Sequence, residues 1–151
     1  MSDTEYQNAV TAAIRHIGIS TYSSGKIYSY LIDKGYPEGI SSRAVSELIE
    51  RGYINDTKAS RKVIIARTGK KQESRDYILK RLIAAGIDRD VAEIVVSGLD
   101  DDKVSCVRLF ESLGFDSDSE ENRNEMIAIA SRRGYTYETA SAAYQVWSEN
   151  I

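Results

Sequence analysis

The side chains that could act as nucleophiles or bind a transition metal are scarce in this sequence. Cys106 is the only cysteine and His16 the only histidine. We therefore expect neither an internal disulfide nor a zinc site of the Cys/His type, which needs several such ligands. Cys106 lies in KVSCVRLF, where the helical spacing of Val104, Val107 and Leu109 predicts a small core residue. His16 lies in a charged helical segment and is expected to be solvated.

Motifs for phosphate or cofactor chemistry are absent from the sequence as well. It contains neither a Walker-type loop nor a GxGxxG fingerprint. A hydrolase would need a pair of carboxylates in a cleft, for which the acidic region 100–125 is the candidate. We expect no enzymatic activity and no cofactor, and the hydrolase stays open as an alternative.

Charge is distributed unevenly along a chain whose formal net charge is -3. Residues 58–89 carry ten basic side chains against three acidic ones, whereas residues 100–125 carry nine acidic side chains against three basic ones. A basic cluster on one face is the electrostatic footprint of a protein that binds a phosphate backbone or an acidic protein groove. The alternative is a solvated helix face without a partner. The candidate contact residues are Lys58, Arg61, Lys62, Arg67, Lys70, Lys71, Arg75, Tyr77, Lys80 and Arg81.

The elements that must position these residues are predicted to be helices. Pro37 is the only proline, the ten glycines are dispersed, and apolar residues recur at helical spacing. The segment RKVIIAR could be a short strand, but no partner strand is evident, so a helix is favoured. In the helix that begins near Ser74, the apolar stripe is expected to include Ile78, Leu79, Leu82 and Ile83. The predicted N-caps are Ser24, Asp56, Ser74, Asp88 and Asp118 or Ser119.

A repeat of about fifty residues becomes visible when Gly35, Gly86 and Gly134 are aligned. Each glycine occupies a position suited to a left-handed helix cap. The sequence predicts an all-α fold of three tandem three-helix repeats, resembling helix-turn-helix units and forming one elongated, curved array. The repeats are expected at 4–56, 57–100 (basic) and 101–151 (acidic at its start). The apolar positions in register are Ile27, Ile78 and Met126; Leu31, Leu82 and Ala130; and Leu48, Leu99 and Trp147.

The overall composition is typical of a globular protein, with 42% hydrophobic and 28% charged residues. The first residues, MSDTEYQNAV, do not resemble a signal peptide, and no apolar run approaches the length of a membrane span. We expect a cytoplasmic monomer that does not contact a membrane.

Three segments resemble the RecX family, bacterial regulators of the recombinase RecA. They are LIERGYINDTKASRKVIIAR, ILKRLIAAGIDRDVAEIVVSGL and the terminal IASRRGYTYETASAAYQVWSENI. The family's turn of Gly-Tyr-hydrophobic-Asn/Asp-Asp is matched by Gly52, Tyr53, Ile54, Asn55 and Asp56.

The chain departs from the family pattern at several positions, which identifies it as a divergent member. Ala59 and Ser60 stand where a bulky aromatic residue is usual, and the loop GKKQES keeps Gly69 but is more highly charged. The first repeat lacks the usual Glu-Leu pair.

The resemblance implies a non-enzymatic regulator that lies along the groove of the RecA filament on DNA. It would inhibit ATP hydrolysis, strand exchange and co-protease activity, and so modulate recombinational repair and the SOS response. The implied partners are the RecA filament and, weakly or indirectly, single- and double-stranded DNA. A stand-alone helix-turn-helix DNA-binding protein is the main alternative.

Overall fold

The computed structural model describes residues 3–151, which contain nine α-helices, one 3₁₀ helix and no β-strand. The all-α prediction is confirmed. RKVIIAR belongs to α4 as far as Ile65, so the helical interpretation of this segment is correct. The helices are α1 Asp3–Ile17, α2 Ser24–Asp33, α3 Glu38–Glu50, α4 Asp56–Ile65, α5 Arg75–Ala84, α6 Arg89–Ser97, α7 Asp102–Ser112, α8 Glu120–Arg132 and α9 Tyr137–Glu149, and the 3₁₀ helix is Gly69–Lys71.

Two of the predicted N-caps are displaced by one residue. Ser23, rather than Ser24, accepts a hydrogen bond from the first turn of α2. Asn55, rather than Asp56, does the same for α4. Both positions of each pair hold a residue type that can cap a helix, and the displacement leaves Ser24 and Asp56 free to contact each other.

The three aligned glycines adopt the same backbone conformation. Gly35, Gly86 and Gly134 have φ angles of 98°, 89° and 92°, in the region that favours glycine. After each glycine, the next backbone N–H donates to the carbonyl four residues before the glycine, over 3.0 to 3.1 Å. This closure of a helix end satisfies carbonyls that the helix leaves unpaired. Its recurrence is consistent with three tandem three-helix repeats.

The predicted core register is correct at most positions. The residues eight and four before each glycine are all buried: Ile27, Ile78 and Met126, and Leu31, Leu82 and Ala130.

The register fails at Leu99, and the predicted stripe of α5 fails at Ile83. Leu99 is half-buried because α6 ends at Ser97, leaving Leu99 in a loop instead of on a helix face. Ile83 is 37% exposed. The buried line of α5 runs through Ile78 and Leu82, and at about 100° per residue Ile83 is rotated out of it.

The described chain forms two compact units. Unit 1 comprises the described residues up to Lys62 together with Leu82–Val95, and unit 2 comprises Val63–Arg81 together with Val96–Ile151. The predicted boundaries of the three repeats stay a prediction. Fully buried side chains of unit 1 include Ile27, Leu31, Ile40, Leu48 and Leu82, and those of unit 2 include Cys106, Leu109, Phe110 and Met126.

Unit 1 contains a close contact between the start of α2 and the turn between α5 and α6. Ser23 Oγ donates to the Ala85 carbonyl and the Gly25 N–H to the Gly86 carbonyl, both over 2.8 Å. A Cβ on Gly86 would lie 2.5 Å from Ser23 Oγ. The two backbones can approach this closely only because both positions are glycine.

Unit 2 contains the corresponding contact fifty residues later. The Ser74 N–H, at the start of α5, donates to the Arg133 carbonyl over 3.0 Å, beside Gly134. A Cβ on Gly134 would collide with Ser74 Oγ. The backbone N–H of Arg75 donates to Asp102 Oδ1 at the start of α7, over 2.9 Å. The same construction therefore supports the start of a helix in each unit.

Candidate interaction surface

Three of the predicted contact residues, Lys58, Arg61 and Lys62, lie on one side of α4. All three are exposed, and their spacing of three and four residues places them on one face of a helix. The opposite face is buried through Ala59 and Ser60, the small residues found where the RecX pattern has an aromatic one. None of the three cations forms an ion pair with any residue in 3–151.

Asp56 fixes the start of α4 and therefore the position of this basic face. Its side chain is only 8% exposed. The carboxylate accepts the backbone N–H of Ser24 over 2.7 Å and the hydroxyl of Ser24 over 2.6 Å, and it accepts the N–H of Asp88 over 2.8 Å. One carboxylate thus ties α4 to the starts of α2 and α6 within unit 1.

A buried carboxylate in unit 2 engages two more of the predicted cations. Glu73 is 2% exposed. Arg81 donates to both of its oxygens, over 2.5 and 2.7 Å, and Arg67 Nε lies 3.9 Å from one of them. The hydrogen bonds to Glu73 raise the pKa of the Arg81 guanidinium. Arg81 is consequently oriented by its own chain and is not a freely moving surface cation.

Arg75 is also held by its own chain. Its Nε donates to the Asp100 carbonyl over 3.1 Å, and its Nη2 donates to the Leu99 carbonyl. These bonds fix the guanidinium beside the loop that follows α6, although they do not neutralise its charge.

The remaining predicted residues of unit 2 differ in how freely they could bind a partner. Lys70 and Lys71 are exposed on the 3₁₀ helix and have no ion pair among the described residues. Lys80 pairs with Asp76 over 3.1 Å in an exposed position. Tyr77 is half-buried, and the Nζ of Lys80 lies 5.5 Å from its ring centroid. Part of the ring is therefore already occupied by a cation of the same chain.

Arg67 and Arg75 are brought together at a cavity of about 270 Å³ in unit 2, where Arg108 joins them. Sequence reasoning missed Arg108 because it lies in the acidic region 100–125, where the local charge balance concealed a single cation. The further prediction that all ten residues form one basic surface stays a prediction.

Cys106 and His16 both pack against other residues of the chain. Cys106 is fully buried, which confirms the core prediction, and burial together with the charge of Asp102 raises the pKa of its thiol to about 12. His16 is exposed, as predicted, but its ring stacks on Tyr30 at a centroid distance of 3.8 Å and on Tyr22 at 4.9 Å.

The described residues show neither a cluster suited to a metal ion nor a helix suited to a membrane. Across 3–151, no group of three or more His, Cys, Asp or Glu side chains is arranged to hold a metal ion. No helix in the same range combines the length and apolar character needed to cross a bilayer.

Known proteins similar to this chain are named as RecX. No family model matches the sequence. Regulatory protein RecX of Mycobacterium tuberculosis strain H37Rv is 25% identical over 138 residues, covering 85% of this chain and 79% of the relative. Regulatory protein RecX of Mycobacterium leprae is 23% identical over 146 residues, covering 92% of this chain and 84% of the relative.

A solved structure shares the fold. The crystal structure of RecX from Lactobacillus salivarius superposes with a TM-score of 0.77 at 19% identity, covering 99% of this chain and 100% of that one. At this identity the structural match speaks for the fold alone, whereas the sequence similarity extends over most of the chain. Together they confirm the resemblance to the RecX family that the turn and helix motifs predicted.

Proposed function

We propose that this chain regulates the RecA recombinase filament on DNA by binding to it, without catalysing a reaction of its own. Binding inhibits ATP hydrolysis, strand exchange and co-protease activity, and so modulates recombinational repair and the SOS response in the cytoplasm. The name of the relatives, Regulatory protein RecX, supports a regulatory role.

The observation that carries the proposal is the basic face of α4. Lys58, Arg61 and Lys62 are exposed, unpaired within the described residues and supported by a buried face. Three cations at helical spacing extend over about one turn, or roughly 5 to 6 Å. They suit a polyanionic partner such as a phosphate backbone or an acidic protein groove, because the three side chains are exposed and form no ion pair with the described residues.

The cations of unit 2 make unequal contributions in this proposal. Lys70 and Lys71 are exposed and uncompensated, so they add long-range attraction and direct contact. The chain itself partly holds Arg67, Arg75 and Arg81. Their guanidinium groups would therefore contact a partner in a fixed orientation. Lys80 and Tyr77 contribute less because each already contacts the other.

Charge reversal on α4 tests the proposal. A variant with Lys58→Glu, Arg61→Glu and Lys62→Glu should lose inhibition of ATP turnover by RecA assembled on single-stranded DNA. For the wild type, inhibition should weaken as salt increases, because each cation–phosphate contact on DNA releases counterions. Circular dichroism should show unchanged helical content, since the three side chains are exposed.

A matched control reverses Lys26, Lys34 and Lys103, which are exposed and lie outside the basic stretch. Both triple variants change the net charge equally, so a loss that depends only on total charge would affect both. Unchanged inhibition by the α4 variant would reject the assigned surface. Wild-type binding to bare DNA at moderate salt, without any effect on the recombinase, would favour the helix-turn-helix alternative.

A further inference from the structure

Unit 2 contains a partly open cavity of about 270 Å³ whose lining includes three guanidinium groups. Arg67 reaches it from the segment after α4, Arg75 from the start of α5 and Arg108 from α7. Thr68 and Gln72 add neutral polar side chains to the same lining.

Positive charge in this cavity exceeds the negative charge available to balance it. The lining carboxylates, Glu73 and Asp100, are both engaged: Arg81 binds Glu73 through two hydrogen bonds, and Arg108 donates to Asp100 Oδ2 over 2.7 Å. Arg75 is bonded through its guanidinium only to main-chain carbonyls. The three guanidinium groups of the lining face two carboxylates, which leaves a formal charge of +1.

Asp102 is the other carboxylate that contacts this cluster. It accepts the backbone N–H of Arg75 over 2.9 Å and does not line the cavity. Arg81, which binds Glu73, does not line the cavity either. Adding both neighbours gives four guanidinium groups against three carboxylates, so the formal excess remains +1.

Arg67 supplies a donor that is already desolvated and has no acceptor. Its Nε is buried and forms no hydrogen bond with the described residues. The oxygen of Glu73 with which it forms an ion pair lies 3.9 Å away, beyond hydrogen-bond range, and already accepts from Arg81. A buried donor without an acceptor costs free energy, and a bound acceptor would recover it.

We propose that this cavity binds a phosphate group, which accepts hydrogen bonds from the N–H groups of Arg75 and Arg108 that have no partner in the chain, and from Arg67 Nε once the Arg67 side chain rotates to present it to the cavity. A guanidinium group can donate two parallel hydrogen bonds to two oxygens of a phosphate, and it keeps its charge at any physiological pH. The phosphate belongs either to a nucleic-acid backbone or to a free phosphate or nucleotide. This site goes beyond the proposed regulatory function, because the isolated chain should bind phosphate without any recombinase present.

The test follows the side-chain Nε–Hε signal of Arg67 by NMR in the ¹⁵N-labelled full chain during titration with inorganic phosphate. Sodium chloride of equal ionic strength serves as the reference. We expect a saturable shift with phosphate only. Arg67→Gln removes the donor without breaking an existing hydrogen bond, so it should fold and should weaken phosphate binding by about tenfold or more, roughly the value of one charge-assisted hydrogen bond. Its binding is followed by the signals of Arg75 and Arg108.

Two further variants separate geometry from charge. Arg89→Gln makes the same charge change on an exposed residue of α6 that pairs with Glu93, and it should bind phosphate as the wild type does. Arg67→Lys keeps the charge without the planar fork and should bind with intermediate affinity.

Competition identifies the source of the phosphate. Displacement of inorganic phosphate by a short oligothymidylate assigns the site to a nucleic-acid backbone, whereas displacement by ATP alone assigns it to a free phosphate group. Either result supports the proposal. A wild type without a saturable phosphate shift, or an Arg67→Gln variant that binds as tightly as the wild type, would overturn it.

Discussion

Replacement of Gly86 by alanine should destabilise unit 1 far more than the same replacement at Gly35. Both glycines have positive φ, 89° and 98°, so each alanine incurs a backbone penalty of about 1 kcal/mol. Nothing lies within 4 Å of a Cβ at Gly35, whereas a Cβ at Gly86 would lie 2.5 Å from Ser23 Oγ. The overpacking adds about 1–3 kcal/mol.

The collision should also break two hydrogen bonds of the same contact. These run from Ser23 Oγ to the Ala85 carbonyl and from the Gly25 N–H to the Gly86 carbonyl, each over 2.8 Å. At about 1 kcal/mol per bond, the total loss for Gly86→Ala is about 4–6 kcal/mol, against about 1 kcal/mol for Gly35→Ala. The gain from a stiffer unfolded chain is the same for both variants and cancels.

Urea unfolding followed by circular dichroism at 222 nm measures this difference. The free energies of unfolding of the two variants should differ by about 3–5 kcal/mol. Equal losses would refute the reasoning, because they would mean that the contact between the start of α2 and the turn between α5 and α6 contributes nothing to stability.

Two more variants probe the buried polar groups. Asp56→Ala leaves the N–H groups of Ser24 and Asp88 without their acceptor and should lower the free energy of unfolding, measured in urea, by about 3 kcal/mol. Asn55→Ala removes only the exposed cap of α4 and should lower it by about 1 kcal/mol. Equal losses would contradict the central role of Asp56. Burial raises the pKa of the Cys106 thiol from 9.0 to about 12, so the unfolded chain releases this proton first and stability should decline between those pH values. The urea midpoint should therefore decrease less between about pH 8 and about pH 10.5 in Cys106→Ala than in the wild type. Equal decreases would contradict the assignment of this pH dependence to the Cys106 thiol.

The helices and their glycine caps were predictable because both depend on local sequence. Gly35, Gly86 and Gly134 each follow an apolar helical pattern, and only glycine adopts the required φ without strain. The caps of α2 and α4 were misplaced by one residue because Ser23 and Ser24, like Asn55 and Asp56, are adjacent residues of similar capping ability. Tertiary contacts, which a local pattern does not contain, decide between them.

The candidate site was less predictable because charge along the sequence does not show which cations are already engaged. Glu73 lies within the basic stretch, yet its pairing with Arg81, eight residues away, follows from the turn between the 3₁₀ helix and α5. Arg108 joins Arg67 at one cavity from a distant and acidic part of the sequence. Exposed helix positions such as Lys58, by contrast, follow directly from helical spacing.

The most direct test of the proposed function is ATP turnover by RecA filaments on single-stranded DNA as the wild-type chain is added. We predict that turnover falls with increasing amounts of the chain, and that the α4 variant with three reversed charges leaves turnover unchanged. Turnover that stays constant with the wild type, while the filament remains assembled and the chain remains folded, would contradict the proposed function.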